Sequence, residues 1–426
     1  MTAERNINAL AEYFASGCKK DQLLGVELEH FVIDRKTRAS LPFENNVELL
    51  LCRLQPLFGE PIFSQGRIIG ITHAPEAFLG AEISLEPAAQ LEISISPSAC
   101  IREIFDTYNH FAKIISPVLE EHDAELFCAG YHPKSKIDEL PLIPKQRYQY
   151  MNDYFQKTGT MGKNMMKGTA AAQVSIDYED EADFSKKFRV ACILSPLFSL
   201  ICDNSKIFEG QPYNGRMLRT HIWNNVDPRR SNTVANALDG DFGFRDYAKY
   251  IYEMPPIFMP QGNETVYTGA KTVSEIFANR AMTQSDIDHV LSMAFPDVRL
   301  KNLIEIRTAD SMPIDETLAF AALIKGLMYD KSNLDKLHNE TAHVKNHDVT
   351  QAKTQLIQHG ANAIIYGKPA KLWLEEILQL ARNSTSEKES AFLHPIENRA
   401  VAAQPPFADY MHPQAHIHVL ESDTIS

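Results

Sequence analysis

The sequence predicts an α+β protein in which helices flank an antiparallel or mixed β-sheet whose strands come from distant parts of the chain. Two observations lead to this class: apolar residues alternate with polar ones in several segments before residue 310, and they recur every three or four residues from 315 onward. The chain has 426 residues, and no internal repeat or linker separates two independent units. We therefore predict one domain over residues 1–385, helical from about 315, and a loosely packed extension over residues 386–426.

The predicted strands share an alternation of apolar and polar side chains with a period of two residues, which is the period of a pleated strand. In the first of them, LLGVELEHFVID, the apolar residues Leu24, Val26 and Leu28 occupy one face. The strands cover residues 23–34, 67–73, 81–96, 125–131, 168–178 and 299–310. Because helical patterns separate most of these segments, the sheet has to be assembled from non-contiguous strands.

The predicted helices show apolar residues at three- and four-residue spacing. They cover residues 4–16, 44–57, 99–121, 145–157 and 183–205, followed by about four helices between 315 and 385. Pro196 lies inside the 183–205 segment, and since proline removes a helical hydrogen bond we expect an interruption there. A glycine-rich turn is expected after the helix that ends near residue 157.

The composition is that of a soluble globular protein, with 44% hydrophobic and 23% charged residues. The net charge of −13 disfavours broad binding to nucleic acid or to anionic membranes, since such binding requires clustered lysine and arginine. No segment approaches the roughly 18 apolar residues of a membrane span, and the N-terminal segment MTAERNINALAEYF lacks a signal-peptide profile. We therefore predict a cytoplasmic protein without nucleic-acid or membrane partners.

The six cysteines stand mostly among apolar residues and form no CxxC pair. This pattern favours buried free thiols over disulfides or a structural zinc site. The three histidines of MHPQAHIHV, near the C-terminus, would suit a metal-binding tract, but the composition favours a surface tail with incidental histidines.

Acidic side chains gather on the polar faces of the predicted strands. Glu27 and Glu29 lie one strand step apart on the polar face of the first strand, and like charges on one face repel. Gln90 and Glu92 share a face in the segment SLEPAAQLEIS, where Glu86 precedes a proline turn. Such a cluster needs either compensating charge or contact with water.

Two later strands continue this pattern. Gln173 lies on the polar face of AAAQVSID, and Glu305 shares a face with Arg307 in NLIEIRT. Each strand taken alone is explained by an ordinary solvent-facing side. Together they favour a common site, because solvent faces usually carry lysine, which is nearly absent here. Since hard Mg²⁺ prefers oxygen ligands and bridges to phosphate oxygens, the pattern predicts a metal and phosphate site.

An anionic substrate also requires cations, and the segment GRMLRTHIWNNVDPRRS supplies four arginines in an otherwise acidic protein. They are Arg216, Arg219, Arg229 and Arg230. Arginine suits bidentate recognition of carboxylate and phosphate groups. A surface cluster that caps a helix is an equally good explanation of the same residues.

Five segments together resemble a known family in their order and spacing. They are GVELEHFVID, LEPAAQLEISISP, MMKGTAAAQVSID, LRTHIWNNVDPRRS and LIEIRTADSMP, which span residues 23 to about 313. The family is that of the glutamate–cysteine ligases of plant and proteobacterial type, which also includes the ligase that opens actinobacterial ergothioneine synthesis. The resemblance implies a glutamine-synthetase-like fold, in which a curved antiparallel sheet forms a funnel for ATP and for two or three Mg²⁺ ions.

The reaction implied by the resemblance joins the γ-carboxylate of L-glutamate to the amino group of L-cysteine, with ATP converted to ADP and phosphate. It is the first step in the biosynthesis of glutathione or a related thiol. A γ-glutamyl phosphate intermediate is implied, because a carboxylate is a poor acyl donor until one oxygen becomes a phosphate leaving group. Such an intermediate has to be shielded from water, which favours an enclosed site and a mobile lid. The enzyme is expected to be a monomer or a homodimer.

The resemblance also implies roles for individual residues. The expected Mg²⁺ ligands are Glu27, Glu29, Glu86, Glu92 and Glu305, with Gln173 available as a further oxygen ligand or as a contact to ATP. The expected catalytic residues are Arg307, at the transferring phosphoryl group, and Glu305 beside it. The expected contacts to substrate carboxylate or phosphate are Arg219, Arg230 and Arg216, next to a wall formed by Trp223, which could equally be a core residue.

Two departures from the family pattern loosen the inference about the acceptor amine. Ala88 and Ala89 stand where relatives commonly have glycines, and Ser231 follows Arg230 where relatives often show Thr-Gly. Two alternatives therefore stay open: a ligase of the same superfamily with a different acceptor or donor, and a binding or regulatory protein that has lost the chemistry. The second is disfavoured because the expected carboxylates and Arg307 are all present.

Overall fold

A computed structural model describes residues 2–73, 80–262 and 264–402 of the chain. Among these residues, nine strands form one sheet in which every pair runs antiparallel. The strands are β1 (Leu24–Asp34), β2 (Gly59–Ser64), β3 (Arg67–His73), β4 (Ala81–Leu85), β5 (Leu91–Ser98), β6 (Ala124–Phe127), β7 (Ala171–Ile176), β8 (Val298–Leu300) and β9 (Ile304–Asp310). Their order is β8-β9-β7-β1-β5-β4-β3-β2, and β6 pairs with the far end of β1. The predicted α+β class is confirmed, with the sheet antiparallel rather than mixed.

Strand β1 lies at the centre of the sheet and explains the alternation in its sequence. Residues 24–28 pair with β7 on one side, and residues 24–30 pair with β5 on the other. Leu24, Val26 and Leu28 are at most 1% exposed. Burial of such a side chain contributes about 1.5–3 kcal/mol to stability. The apolar side of the strand therefore faces the core. The polar residues between them consequently point to the opposite face of the sheet.

Helices account for most of the remaining chain. They are α1 (Thr2–Ala15), α2 (Glu48–Phe58), α3 (Ile101–Glu121), α4 (Gln146–Thr158), α5 (Gly162–Gly168), α6 (Glu181–Ile201), α7 (Leu218–Asn224), α8 (Phe244–Tyr252), α9 (Val273–Ile276), α10 (Gln284–Leu291), α11 (Ile314–Met328), α12 (Lys331–Glu340), α13 (Asn346–His359), α14 (Ala370–Ser384), α15 (Glu387–Ser390) and α16 (His394–Ala402). Helices α2, α3, α6 and α11 pack on β3, β5, β9 and β1, respectively. No helix among the described residues is long and apolar enough to cross a membrane.

Short elements join these helices and strands. Two-stranded ribbons pair Ile207–Phe208 with Gln211–Pro212, Ser231–Asn232 with Phe295–Pro296, Ile257–Gln261 with Glu264–Gly269, and Ile364–Ile365 with Lys368–Pro369. Brief helical turns lie at Phe43–Val47, Ile137–Glu139, Gly360–Asn362 and Ala391–Leu393. The ribbon of residues 231–232 and 295–296 is parallel, and it links the segment after α7 to the segment before β8.

Two segments predicted as single strands are hairpins. Residues 81–96 form β4 and β5, and the turn between them is closed by a bond from Glu86 N to Gln90 O of 2.9 Å and one from Ala89 N to Glu86 O of 3.0 Å. Residues 299–310 divide in the same way into β8 and β9. Each hairpin sets the polar faces of two strands side by side.

Three other boundaries differ from the prediction. Helix α6 continues through Pro196 without interruption, and the hydroxyl of Ser195 donates to Cys192 O at 2.9 Å, the carbonyl that proline leaves without its helical donor. The expected glycine-rich turn is limited to residues 159–161, and the unpredicted helix α5 follows it directly. Strand β2 was not predicted, because all of its residues are at least partly exposed and no apolar alternation marks it.

The C-terminal part contains the four expected helices, α11 to α14. The segment 391–402 packs onto α11, and Leu393 and Ile396 are 0% exposed. This part of the predicted extension is therefore not loosely packed. Residues 403–426, with the three histidines of the possible metal tract, lie outside the described residues. The cysteines are free thiols, buried at Cys128, Cys192 and Cys202, partly exposed at Cys18 and Cys100, and exposed at Cys52.

Candidate active site

A cavity of about 330 Å³ opens on the polar face of the sheet, where β1, β5, β7 and the turn after β4 meet. Its walls combine acids from the sheet with cations from the surrounding helices and from the β8–β9 hairpin. The charged, amide and indole side chains discussed below that line it are Glu27, Glu29, Glu86, Glu92, Lys145, Arg147, Gln173, Arg219, Trp223, Arg299, Lys301 and Arg307. Four of the five predicted Mg²⁺ ligands are among them.

The register of the sheet brings these acids together. Glu29 of β1 stands opposite Glu92 of β5, and Glu27 stands opposite Gln173 of β7 on the other side. Glu86 comes from the turn that joins β4 to β5. Since opposite residues on antiparallel strands have Cβ atoms about 4.5–5.5 Å apart, the carboxylates face one small volume.

Burial and mutual repulsion disfavour the charged forms of these acids. Burial, followed by the charge of Glu86, raises the pKa of Glu29 to about 8. Burial and neighbouring acids, Glu27 first, raise the pKa of Glu92 well above its ordinary value. The pKa of Glu27 is raised as well, by burial and then by Glu305, although nearby cations oppose the shift. Burial is the largest cause of all three shifts, and repulsion between the acids adds to it.

Neutral donors orient two of these carboxylates. Glu29 accepts from the backbone N–H of Ala171 at 2.8 Å and from the side-chain amide of Gln173 at 3.3 Å. Glu92 accepts from the hydroxyl of Ser84 at 3.0 Å. Such donors fix the direction of a carboxylate without neutralising it, so the site keeps its preference for a bound cation.

Glu305, predicted as a Mg²⁺ ligand and a catalytic residue, is engaged by the protein itself. Its oxygens accept from Arg299 Nε at 2.7 Å and Nη2 at 2.9 Å, and from Arg307 Nη1 at 2.7 Å. Burial would raise the pKa of Glu305, but Arg299 and the neighbouring cations hold it well below its ordinary value. The side chain is 1% exposed and is not among the described residues of the cavity wall, which its partners Arg299 and Arg307 do line. We therefore correct its role to that of a support for Arg307.

Arg307 lies on the cavity wall. Its Nη1 bonds both Glu305 and the side-chain oxygen of Gln173, and its backbone N–H donates to Asp297 O at 3.0 Å. Because these acceptors belong to strands β9 and β7 and to the segment before β8, the guanidinium is held at one position on the wall.

Helix α7 contributes Arg219 and Trp223 to the same cavity. Arg219 Nη1 donates to Arg307 O at 3.0 Å, and the guanidinium lies 5.8 Å from the centre of the Trp223 ring. Arg219 Nε and Trp223 Nε1 are buried without an acceptor in the part of the chain that the structure describes. An unsatisfied buried donor costs roughly 1–3 kcal/mol, so a ligand with acceptor oxygens would be favoured at this end.

Arg230 and Arg216, predicted as substrate contacts, are not among the described residues of the cavity wall. Arg230 is 0% exposed; its Nε pairs with Asp227 at 2.7 Å, and its other nitrogens donate to Met293 O at 2.8 Å and Pro255 O at 2.9 Å. Arg230 thus ties three segments of the core together, and Arg216 lies in the loop before α7. We leave both out of the site.

Four further cations on the wall were not singled out in the sequence. Lys145 and Arg147 come from the start of α4, Arg299 from β8 and Lys301 from the turn after it. Burial and then the charge of Arg147 lower the pKa of Lys145, whereas Glu86 acts in the opposite direction. The signal was present as PKQRYQY, but two cations near a helix end are common on protein surfaces, and only the tertiary structure places them at the acids.

The residues present fit a hard divalent cation. The groups on the wall that could bind a metal ion are carboxylates and amides, which offer oxygen atoms. The described wall contains no thiol and no imidazole. Among the described residues, no three acidic, histidine or cysteine side chains are close enough to share one ion. Mg²⁺ is usually held by one or two carboxylates, with waters and phosphate oxygens as its other ligands. Each ion is therefore expected to use one or two of the four acids and to take its other ligands from a nucleotide and water.

Comparison with known proteins shows the family to which the chain belongs. A family model described as glutamate–cysteine ligase family 2 (GCS2) matches residues 23–410. The chain is 29% identical over 405 residues to the chloroplastic glutamate–cysteine ligase of Arabidopsis thaliana, covering 91% of this chain and 76% of that enzyme. It is 28% identical over 409 residues to the chloroplastic glutamate–cysteine ligase B of Oryza sativa subsp. japonica, covering 93% of this chain and 82% of that enzyme.

The fold is also similar to a solved structure. A crystal structure of glutamate–cysteine ligase from Francisella tularensis in complex with AMP superimposes with a TM-score of 0.57 and 10% sequence identity, covering 92% of this chain and 84% of that chain. At this identity the similarity concerns the fold alone, and it confirms the predicted architecture.

The predicted cytoplasmic location is contradicted by the comparisons. The relatives from Arabidopsis thaliana and Oryza sativa are described as chloroplastic enzymes. The prediction rested on the lack of a secretory signal profile, and organelle-targeting segments have a different composition. A missing secretory profile was therefore no basis for a cytoplasmic location.

Proposed function

Because the chain belongs to the glutamate–cysteine ligase family, we propose that the cavity is the active site in which L-glutamate, L-cysteine and ATP meet. The predicted activity of a glutamate–cysteine ligase in glutathione biosynthesis is confirmed by the family and by the curated relatives, and its use of ATP is part of the proposal. The assignment of the individual residues rests on one observation. Four acids from β1, β5 and the turn before β5 line the same cavity, and burial and mutual repulsion raise the pKa values of Glu29 and Glu92.

The reaction consists of two displacements. A γ-carboxylate oxygen of glutamate attacks the γ-phosphorus of ATP and displaces ADP, which gives γ-glutamyl phosphate. The amino nitrogen of cysteine then attacks the γ-carbonyl carbon and displaces phosphate, while an amine proton passes to phosphate or water. Both steps bring anions together, so the protein has to hold the reactants in place and to supply positive charge.

Glu27, Glu29, Glu86 and Glu92 are assigned as ligands of two or three Mg²⁺ ions. When bound, such ions would supply positive charge for the phosphates of ATP during phosphoryl transfer. The repulsion among the four carboxylates in the free protein favours cation binding. Gln173 supplies an amide oxygen that accepts from Arg307 in the free protein.

Arg307 is assigned to the transferring phosphoryl group. Its guanidinium lines the cavity, and Glu305 holds one of its terminal nitrogens at 2.7 Å. A guanidinium suits phosphate because its N–H groups lie in one plane. Since the protein already fixes this cation, little rearrangement is needed when negative charge develops.

Arg219 and Trp223 are assigned to a carboxylate of the amino-acid substrate. Their buried Nε and Nε1 atoms, which have no acceptor in the described chain, match a carboxylate oxygen. Lys145 and Arg147 are assigned to the ATP phosphates, because both line the cavity on the side of Glu86.

The proposal is tested by ADP release with glutamate and a panel of amines that includes cysteine, with and without Mg²⁺. We expect ADP and γ-glutamylcysteine in equal amounts, with cysteine as the best acceptor and only when Mg²⁺ is present. Faster turnover with another amine would assign the chain to a different acceptor. Turnover without a divalent cation would contradict the role given to the acids.

A matched pair of variants tests the acids directly. Glu92→Gln removes one carboxylate from the cavity, whereas Glu82→Gln removes an exposed carboxylate from β4. We expect the Mg²⁺ concentration for half-maximal rate to rise in Glu92→Gln and to stay unchanged in Glu82→Gln.

A further inference from the structure

Helix α7, which carries Arg219 and Trp223, depends on a distant residue for its first turn. Met217, directly before the helix, has a left-handed backbone with φ of 51°. Its backbone N–H donates to Asp203 Oδ2 at 2.9 Å. The side chain of Met217 makes no capping hydrogen bond to the helix. The segment around residue 203 therefore holds in place the residue from which α7 begins.

The C-terminal helix α16 binds this same segment through Arg399. Arg399 Nη1 donates to Asp203 O at 3.0 Å, Nη2 reaches Asn204 Oδ1 at 3.4 Å, and Nη2 also pairs with Glu316 of α11. The side chain of Arg399 is 13% exposed, so the contacts are mostly shielded from water. Through residue 203, the C-terminal helix is connected to the start of α7.

A second C-terminal helix binds the chain that leaves α7. Lys353 of α13 is 3% exposed, and its Nζ donates to Asp297 Oδ2 at 2.5 Å and to Asn232 Oδ1 at 3.2 Å. Asn232 lies in the ribbon after α7, and its carbonyl accepts from Asp297 N at 2.9 Å. Asp297 in turn accepts the backbone N–H of Arg307 at 3.0 Å.

These two connections meet at one recess of the active site. A small cavity of about 20 Å³ adjoins the main one, and it shares Arg219, Trp223 and Arg307 with it. Asp297 also lines this recess. Neither Arg399 nor Lys353 is among the described residues of either wall. They act on the site only through the residues they hold.

We infer that the C-terminal helices are a working part of the substrate site, with Arg399 and Lys353 as positioning residues for Arg219, Trp223 and Arg307. The inference rests on the proposed function, in which α7 binds the carboxylate of the amino-acid substrate. Arg399 fixes the entry of α7, and Lys353 fixes its exit together with the strand that carries Arg307. Loosening either contact displaces the carboxylate-binding end and leaves the acid ligands of β1 and β5 in place.

The simpler explanation is that both cations only anchor helices. The pair of Arg382 and Glu397 provides the matched control, because Arg382 Nε of α14 bonds Glu397 of α16 at 2.8 Å and thereby anchors the same helix as Arg399. Arg382 lies outside the described walls of both cavities. If α16 only needs to be anchored, Arg382→Ala and Arg399→Ala should have the same effect on kinetics.

The experiment uses the full-length chain with Arg399→Ala, Lys353→Met and the control Arg382→Ala. Initial rates are measured with glutamate and ATP varied separately at saturating Mg²⁺ and cysteine. For the first two variants we expect KM for glutamate to rise roughly tenfold, since a misplacement of about 1 Å can cost up to roughly 10²-fold. KM for ATP should stay within about twofold of that of the unaltered enzyme, and Arg382→Ala should leave both constants unchanged.

The fluorescence of Trp223 gives a readout that does not depend on activity. Its signal is the difference between each protein and its Trp223→Phe counterpart, which removes the contribution of the other tryptophan, Trp373. We expect acrylamide to quench Trp223 more strongly in Arg399→Ala and in Lys353→Met than in the unaltered chain. In Arg382→Ala the quenching should be unchanged.

The possible outcomes separate this inference from the proposed function. If the unaltered chain forms no γ-glutamylcysteine, the proposed function fails. If it is active, but folded Arg399→Ala and Lys353→Met keep its KM for glutamate, the inference is overturned, as it is if Arg382→Ala raises KM equally. Should Arg399→Ala not fold, Arg399→Lys keeps the charge but loses one arm of the guanidinium. For that variant we expect a rise of about threefold, and an unchanged KM would overturn the inference.

Discussion

Two groups of charge in the same site are built in opposite ways. In the cation group, which consists of Glu305 with Arg299, Lys301 and Arg307, a buried acid is bonded by arginines at 2.7–2.9 Å and its pKa is held low. In the acid group, which consists of Glu27, Glu29, Glu86 and Glu92, burial and repulsion raise the pKa values of the three β-strand members. The first group is balanced by the protein and forms part of its framework. The second has no direct ion pair to its acids among the described residues, so a bound cation would favour their charged forms.

The largest effect is expected from Arg307, which bonds Glu305 of the cation group and also Gln173, a partner of Glu29 in the acid group. Arg307→Ala should lower kcat by about 10³-fold or more, because an arginine at a transferring phosphoryl group typically contributes that much. The far-UV spectrum should be unchanged. Arg229→Ala, which removes an exposed arginine outside the catalytic cavity, is the control and should turn over normally. A near-normal rate for Arg307→Ala would rule out the role assigned to it.

The next prediction compares the stabilities of the two groups in the free protein. Glu305→Gln leaves Arg299 and Arg307 without their counter-charge and should reduce the free energy of unfolding by about 3–5 kcal/mol. Glu92→Gln relieves repulsion and should raise it by roughly 0.2–1 kcal/mol. Urea unfolding without metal measures both values. Equal losses in the two variants would remove the distinction between the groups.

The pH dependence of the first variant follows from the lowered pKa of Glu305, whose ordinary value is 4.5. A carboxylate with a depressed folded-state pKa contributes stability above its unfolded pKa and loses it as the pH falls through the folded-state value. The stability difference between the unaltered protein and Glu305→Gln should therefore be full at pH 7 and should shrink at acid pH.

Binding of Mg²⁺ with a nucleotide should stabilise the protein, because a ligand that binds only the folded state does so and the cation offsets the repulsion among the acids. At 100 times the dissociation constant the gain is about 2.7 kcal/mol, visible as a higher Tm. In the free protein the pKa of Glu29 is raised to about 8, so the stability from its neutral form is complete below 4.5 and is lost as the pH rises toward 8.

The Tm shift with Mg²⁺ and nucleotide should consequently be larger at pH 8 than at pH 6. Sodium chloride at equal ionic strength is the control, and it should produce a much smaller shift. A shift of the same size in Glu92→Gln would show that the nucleotide binds without the acid group.

The smallest effect concerns the turn that carries Glu86. Ala89 has a left-handed backbone with φ of 66°, a conformation that costs an alanine roughly 1 kcal/mol and a glycine very little. Ala89→Gly should therefore raise the free energy of unfolding by up to about 1 kcal/mol. The neighbouring substitution Ala88→Gly has no such strain to relieve and should lower it by about 0.5–1 kcal/mol. Thermal unfolding of both variants decides whether the turn is strained.

The local pattern of the sequence was sufficient for much of the fold and for the side chains that the strands β1, β5 and β7 contribute to the cavity. Alternation with a period of two is a property of each strand alone, so Glu27, Glu29, Glu92 and Gln173 could be placed on polar faces without a structure. The helices of the C-terminal part followed from their periodicity in the same way. Strand β2 escaped notice because it is exposed on both faces and has no apolar pattern to read.

Only the tertiary structure decided which residues with the same local pattern belong to the site. Arg219 and Arg230 stand in one arginine-rich segment, yet one lines the cavity and the other is sealed in the core against Asp227. Glu305 lies on a polar strand face as Glu27 does, but the hairpin register sets Arg299 opposite Glu305 and neutralises it. Strand register and packing bring together residues that are far apart in the chain. The sequence by itself therefore determined which side chains face away from the core, and the folded chain determined which of their charges are left for a ligand.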